Sequence, residues 1–98
     1  MSETYSSGAW TAKEGEEEAF VEAWTGFARW FTTMPGAGTA RLTRDLGEPR
    51  RFLSFAPWES AEAMHAWRNA PEFPERLAAV REHVAEFTPS DYELAAEV

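Results

Sequence analysis

The chain has two imidazoles, His65 and His83, and no Cys. Lack of Cys removes a thiolate nucleophile, a disulfide framework and any Cys-ligated zinc or iron–sulfur centre. Neither His forms an i, i+4 pair with another metal-ligating residue, so no metal site is expected and a place on a helix surface is the simpler reading. His83 follows Arg76 by seven residues, which on one helix would put both on the same edge. Such an edge can hold an anionic or enolate oxygen with His83 as proton acceptor, or be an ordinary solvated edge. Arg41, Arg44, Arg50 and Arg51 stand against Asp45 and Glu48, a local net of +2. They can attract carboxylates or phosphates, or answer Glu residues of a partner subunit. Gly36-Ala37-Gly38 is no dinucleotide loop, because it follows a helical pattern and precedes a strand pattern, the reverse of that fingerprint.

The remaining chemistry is aromatic. Five Trp and seven Phe are available to build a flat apolar wall. Trp58 precedes the N-cap candidate Ser60 at a strand end, where it serves as core anchor or as pocket wall. Trp67 shares a helical face with Met64, with the same two readings open. Trp30 lies about 80° round the wheel from its helix's apolar stripe, at a cleft mouth or an interface edge.

These residues need elements to position them. Thr4 to Ala12, small and β-compatible, predicts a first strand, and Lys13-Glu14-Gly15 a turn. Glu16-Glu17-Glu18 favours a helix start through the macrodipole. Phe20, Trp24, Phe27 and Phe31 follow as one helical stripe, running to about Thr33. Met34-Pro35-Gly36 stops it. Thr39 to Leu46 and Arg51 to Trp58 read as strands joined by Gly47-Glu48-Pro49-Arg50. A short helix is expected over Ala61 to Asn69, capped by Ser60. A second, opened by Pro71, carries the stripe Phe73, Leu77, Val80, Val84 and Phe87 until Pro89-Ser90. Alternation from Tyr92 to Val98 predicts the last strand.

The order β-α-β-β-α-β, with its second helical connection broken in two, predicts an α+β fold: a ferredoxin-like antiparallel sandwich over residues 1–98 as one domain. Helices cover one sheet face. The other has no element left to cover it. Phe52 and Leu53 are neighbours on opposite faces of one strand, as are Trp10 and Ala9 on another strand of the expected barrel. An apolar second face predicts sheet-to-sheet homodimerisation.

The formal charge of −8 in 98 residues argues against nucleic acid as partner, since phosphate binding needs a basic surface. Met1-Ser2-Glu3-Thr4 has neither the basic nor the apolar part of a secretory leader, and no apolar run approaches the ~20 residues of a membrane span. A cytoplasmic protein without membrane contact is expected.

Several stretches resemble the antibiotic biosynthesis monooxygenase family. They are the Gly15-to-Phe20 spacing, the Met34-Pro35-Gly36 turn, Arg51-Phe52-Leu53-Ser54-Phe55-Ala56-Pro57-Trp58-Glu59-Ser60 and the Trp67-to-Phe73 stretch. The resemblance implies dimeric α+β barrels with a pocket between sheet and helices. It also implies a cofactor-independent monooxygenase that brings an aromatic or polyketide-type substrate together with dioxygen. The family's Trp at the end of the third strand matches Trp58, and an Asn four residues earlier falls on Ser54. The family's first-strand Asn has no counterpart between Thr4 and Ala12. The resemblance marks Trp58 and Ser54 as catalytic candidates, to which the residue reading adds His83; the substrate-binding candidates are Trp67, Trp30, Phe27, Met64, Phe73 and Arg76. A non-catalytic dimeric binding module is the alternative. A heme-degrading protein is third: Trp67 matches that branch's Trp, but its iron-ligand position is Leu77.

Overall fold

A computed structural model describes residues 3–98. Strand β1 (Thr4–Ala12) leads through the Lys13–Glu16 turn into helix α1 (Glu17–Phe31). Strands β2 (Arg41–Arg44) and β3 (Arg51–Trp58) form a hairpin, followed by helices α2 (Ala61–Arg68) and α3 (Phe73–Arg81) and strand β4 (Val84–Glu93). The four strands form one antiparallel sheet in the order β2-β3-β1-β4, the ferredoxin-like arrangement, with three helices on one face.

Helix α1 follows its stripe. Phe20, Trp24, Phe27 and Phe31 are buried, Ala28 joins them, and Glu17 and Glu18 sit in the first turn, where the helix dipole favours carboxylates. Ser60 caps α2 as its sequence position suggests, its Oγ accepting the Ala63 N–H at 3.1 Å. Alternation along β1 and β3 puts Ser6, Gly8, Trp10 and Ala12 with Phe52, Ser54, Ala56 and Trp58 toward the helices. Tyr5, Ser7, Ala9, Leu53, Phe55 and Pro57 lie on the open face, which β4 extends with Tyr92 opposite Tyr5. Trp10 is a core residue on the helix-facing side, 4 % exposed, and its neighbour Ala9 takes the open face.

Three boundaries differ from the sequence expectation. Helix α3 opens at Phe73 with Pro74 in its first turn, while Pro71 lies in the turn before it. Strand β2 covers Arg41–Arg44 rather than Thr39 to Leu46, because Asp45 bends the chain by accepting the Gly47 and Glu48 N–H groups. The largest difference lies after α3. The helix ends at Arg81, and Val84 and Phe87 belong to β4, not to a helical stripe. A bulge explains the misreading. Val84 pairs with Ala12 and Phe87 with Trp10, so three steps on β4 match two on β1. The extra residue keeps Val84 and Phe87 on the helix-facing side at a spacing that imitates a helix. Pro89 and Ser90 then continue the strand instead of ending a helix. Pro is tolerated there because β4 is an edge strand and bonds on one side only. Residues 94–98, expected to form the last strand, lie beyond it.

Candidate functional site

Between the helix-facing side of the sheet and the three helices lies a cavity of about 430 Å³. Its floor is Ser6, Gly8 and Trp10 of β1 with Ser54 and Ala56 of β3. Its walls and roof are Trp24, Phe27 and Phe31 of α1, Trp67 of α2, and Phe73 and Leu77 of α3, with Phe87 and Pro89 at the β4 side. The aromatic rings pack on each other as well as on the cavity. Trp67 lies 4.8 Å from Phe31 and meets Phe73 edge-on at 5.1 Å. Trp10 stacks on Phe87 at 3.9 Å. A wall held by such contacts keeps its shape when empty, and flat walls suit a flat ligand.

The polar groups on the floor come as two tryptophan–serine pairs. Trp10 Nε1 donates to Ser54 Oγ at 2.9 Å, and Trp58 Nε1 donates to Ser6 Oγ at 3.0 Å. Both Ser are buried. The hydroxyl of Ser54 reaches the Gly8 carbonyl oxygen only at 3.5 Å, the outer limit of a hydrogen bond. Gly8 is what allows the first pair. A Cβ there would stand 2.8 Å from Trp10 Nε1 and 2.9 Å from a Phe87 ring carbon, so only the bare backbone lets the indole fold back to Ser54. Overhead, Trp67 is 5 % exposed, and its indole N–H finds no acceptor among the described residues.

One end of the cavity is closed by charge. Arg68, last in α2, donates from Nη1 to Asp91 Oδ2 of β4 at 2.7 Å and binds the second carboxylate oxygen from Nη2. The Arg68 hydrogen bonds, helped by its charge, hold the Asp91 carboxyl below the usual carboxylate range against a smaller opposing effect of burial. Asp91 and Arg68 are the only ionisable side chains among the described residues that line the cavity.

The sequence candidates separate into those on the cavity and those off it. Ser54, Trp67, Phe27 and Phe73 line it. Trp58 stands behind the wall, 1 % exposed, stacked on Trp67 at 5.0 Å. Met64 is buried without reaching the lining. Trp30 lies at the outer edge of α1 with the Arg76 guanidinium 5.0 Å above its ring, so both are occupied with each other. His83 and Arg76 do not share a helix edge, since His83 falls in the turn after α3. Its Nδ1 is 2.8 Å from Glu16 Oε1. Ser6, Gly8, Trp10, Arg68 and Asp91 were not singled out by the sequence. The alternation Ser6-x-Gly8-x-Trp10 was the available signal for the first three. Arg68 and Asp91 are 23 residues apart and carry none.

An iron porphyrin does not fit this donor set. The branch's iron-ligand position, Leu77, presents an alkyl side chain to the cavity, and none of the described lining residues is a His, Cys, Met or Tyr. Nor do three or more His, Cys, Asp or Glu gather anywhere among the described residues as a metal site would need.

The family model for antibiotic biosynthesis monooxygenases matches residues 7–79. No curated protein matches the chain. Solved structures do. A proposed antibiotic biosynthesis monooxygenase from Bordetella bronchiseptica superposes with a TM-score of 0.84 at 20 % identity, over 100 % of both chains. SnoaB, a cofactor-independent oxygenase from Streptomyces nogalater, gives 0.82 at 19 % identity, over 100 % of this chain and 96 % of its own. A further proposed antibiotic biosynthesis monooxygenase, from Deinococcus radiodurans, gives 0.84 at 20 % identity, over 97 % and 95 %. At such identities the likeness establishes the fold.

Proposed function

The chain belongs to the antibiotic biosynthesis monooxygenase family, and on that footing we propose that it is a cofactor-independent monooxygenase of a planar aromatic or polyketide-type molecule. The observation that carries this reading is the make-up of the cavity: aromatic walls wide enough for a fused ring system, with hydroxyl donors on its floor. Its working parts are Ser54 and the rings of Trp67, Phe27 and Phe73, with Trp58 behind them.

The chemistry asked of such a site is modest. A ring methylene flanked by an electron-withdrawing carbonyl loses a proton to give an extended enolate. The enolate carries the electrons that reduce dioxygen. In the net reaction the methylene becomes a carbonyl. One oxygen atom enters the ring carbon, the other leaves as water with the two methylene hydrogens, and the substrate supplies all four electrons. The protein has to exclude bulk water, hold the ring flat and stabilise the enolate oxygen. Donors on the floor suit that oxygen, and the apolar walls raise the weight of each hydrogen bond. Asp91, held below the usual carboxylate range by Arg68, is a weak base, so the substrate loses its proton to solvent before the ring is enclosed.

The expected assembly is a homodimer through the open sheet face, where Leu53 is 48 % and Tyr92 58 % exposed. A second reading, a binding module without turnover, is favoured by one observation: among the described residues the lining holds no side chain suited to accept a proton at neutral pH. Oxygen uptake with anthrone and reduced polycyclic phenols separates the two. Consumption above the buffer rate, weakened by Ser54→Ala, supports the oxygenase. Ligand binding with no uptake across the panel supports the binding module.

A further inference from the structure

Trp58 has one hydrogen-bond donor, and it is spent. Its Nε1 donates to Ser6 Oγ at 3.0 Å, and the ring is buried off the cavity lining. Any hydrogen-bonding contribution of Trp58 to a bound molecule must therefore pass through Ser6. That hydroxyl does lie on the lining, 6 % exposed, and among the described residues no hydrogen bond uses its proton. Accepting an indole N–H fills one lone pair of a hydroxyl and polarises it, so its own O–H becomes a better donor.

We propose that Ser6 is the donor that receives an acceptor oxygen of the ligand, and that Trp58 is a positioning residue acting through it. The ligand class follows from the same geometry. Ser6, opposite Ala56, and Ser54, opposite Gly8, stand on adjacent strands and both line the cavity, where the Trp10 indole lying across Gly8 gives the floor a flat aromatic surface for a ring. Both hydroxyls are backed by an indole N–H, and Trp67 on the wall carries a buried N–H without a partner among the described residues. A site built this way takes a planar ring bearing a carbonyl, phenolate or enolate oxygen, and prefers it to the bare hydrocarbon of the same outline. The inference rests on the aromatic-cavity reading above and adds the group that recognises the oxygen.

The test uses fluorene and fluorenone, which share an outline and differ by one carbonyl, with binding to the full chain measured by equilibrium dialysis. The readout is the ratio of the two affinities within each variant, which cancels changes in packing. Ser6→Ala should lower the preference for the ketone about tenfold, the worth of one buried hydrogen bond. Ser6→Thr keeps a hydroxyl and should stay within about twofold of the parent. Trp58→Phe should lower the ratio in the parent and leave it unchanged in Ser6→Ala, the coupling expected of two residues acting as one. Near-UV circular dichroism identifies any variant that fails to fold, and Ser6→Thr then decides between hydroxyl and scaffold. An unchanged ratio in Ser6→Ala, or a Trp58→Phe effect of equal size in both backgrounds, overturns the proposal while leaving the cavity reading in place. Binding of neither compound to the parent overturns the cavity reading and this inference together.

Discussion

Gly8→Ala is a small change with a large expected effect. Gly8 has no left-handed backbone to protect, so the added methyl acts through space alone. Its Cβ would stand 2.8 Å from Trp10 Nε1 and 2.9 Å from both Trp10 Cε2 and Phe87 Cε1. Ordinary contact between such atoms is about 3.5 Å or more, so the stacked pair must retreat by roughly 0.7 Å. Neither ring has slack. Trp10 is 4 % exposed and lies against Phe20 at 5.5 Å as well as on Phe87. A shift of that size also takes Trp10 Nε1 out of reach of Ser54 Oγ, now 2.9 Å away. Overpacking costs about 1–3 kcal/mol, and stranding a buried donor costs about 1–3 kcal/mol more when nothing replaces its partner. Against these, Ala in place of Gly narrows the unfolded ensemble by about 0.4–1 kcal/mol.

The net is a loss of about 1–5 kcal/mol, centred near 3, and a loss of about 3 kcal/mol in a domain of this size lowers Tm by roughly 12–24 °C. Urea unfolding followed by tryptophan fluorescence measures it, with thermal unfolding as a second probe. Gly26→Ala is the matched control. Gly26 is on α1, and a Cβ there meets nothing within 4 Å. The helical substitution should stabilise by about 0.5–1 kcal/mol. Opposite signs at the two positions are the expected result. A Gly8→Ala protein within about 0.5 kcal/mol of the parent would refute the packing argument, because surface-like tolerance at that position means the rings have room.

Asp91→Asn should destabilise by no more than about 1 kcal/mol near neutral pH, since its pair with Arg68 is part exposed. The carboxyl is depressed in the folded state, so the pair's stabilisation is present above the ordinary carboxylate pKa and is lost as pH falls through the folded value. The stability difference between parent and variant should therefore persist down to about pH 4 and shrink only below it, as the folded carboxyl protonates. His83→Ala should leave ligand affinity and oxygen uptake unchanged and cost at most about 1 kcal/mol through the lost Glu16 contact, read by the same urea titration. Leu53→Arg on the open sheet face should halve the hydrodynamic mass in size-exclusion chromatography with light scattering, without lowering the monomer's helix content.

Local patterns made most of the fold legible. The α1 stripe, the Ser60 cap and the alternation of β3 each confine the deciding physics to a few neighbouring residues, and there the elements follow the sequence. The failure at the C-terminal end has a non-local cause. Val84 and Phe87 share a face because a bulge against Ala12 and Trp10 shifts the register, and that partner strand is more than seventy residues away in the chain. Read alone, a spacing of three means helix. Pro89 looked like a stop because a central strand cannot hold it, and only the sheet order reveals β4 as an edge.

The site divides along the same line. Trp67, Phe27 and Phe73 reach the cavity from helix faces that periodicity could find. The tryptophan–serine pairs could not be read that way, because each joins β1 to β3 across 44 or 52 residues. Resemblance pointed to Ser54 and Trp58 as if they formed one constellation. In the structure they belong to different pairs: Trp58 serves Ser6, and Ser54 is served by Trp10. The absence of Asn from the first strand therefore does not leave the floor without donors. An amide brings its own N–H to a ligand, whereas a hydroxyl backed by an indole N–H does the same with two residues. What the short Ser side chain lacks in reach, the neighbouring Trp supplies in polarity and fixed direction, provided that Gly8 stays small enough for Trp10 to lie across it.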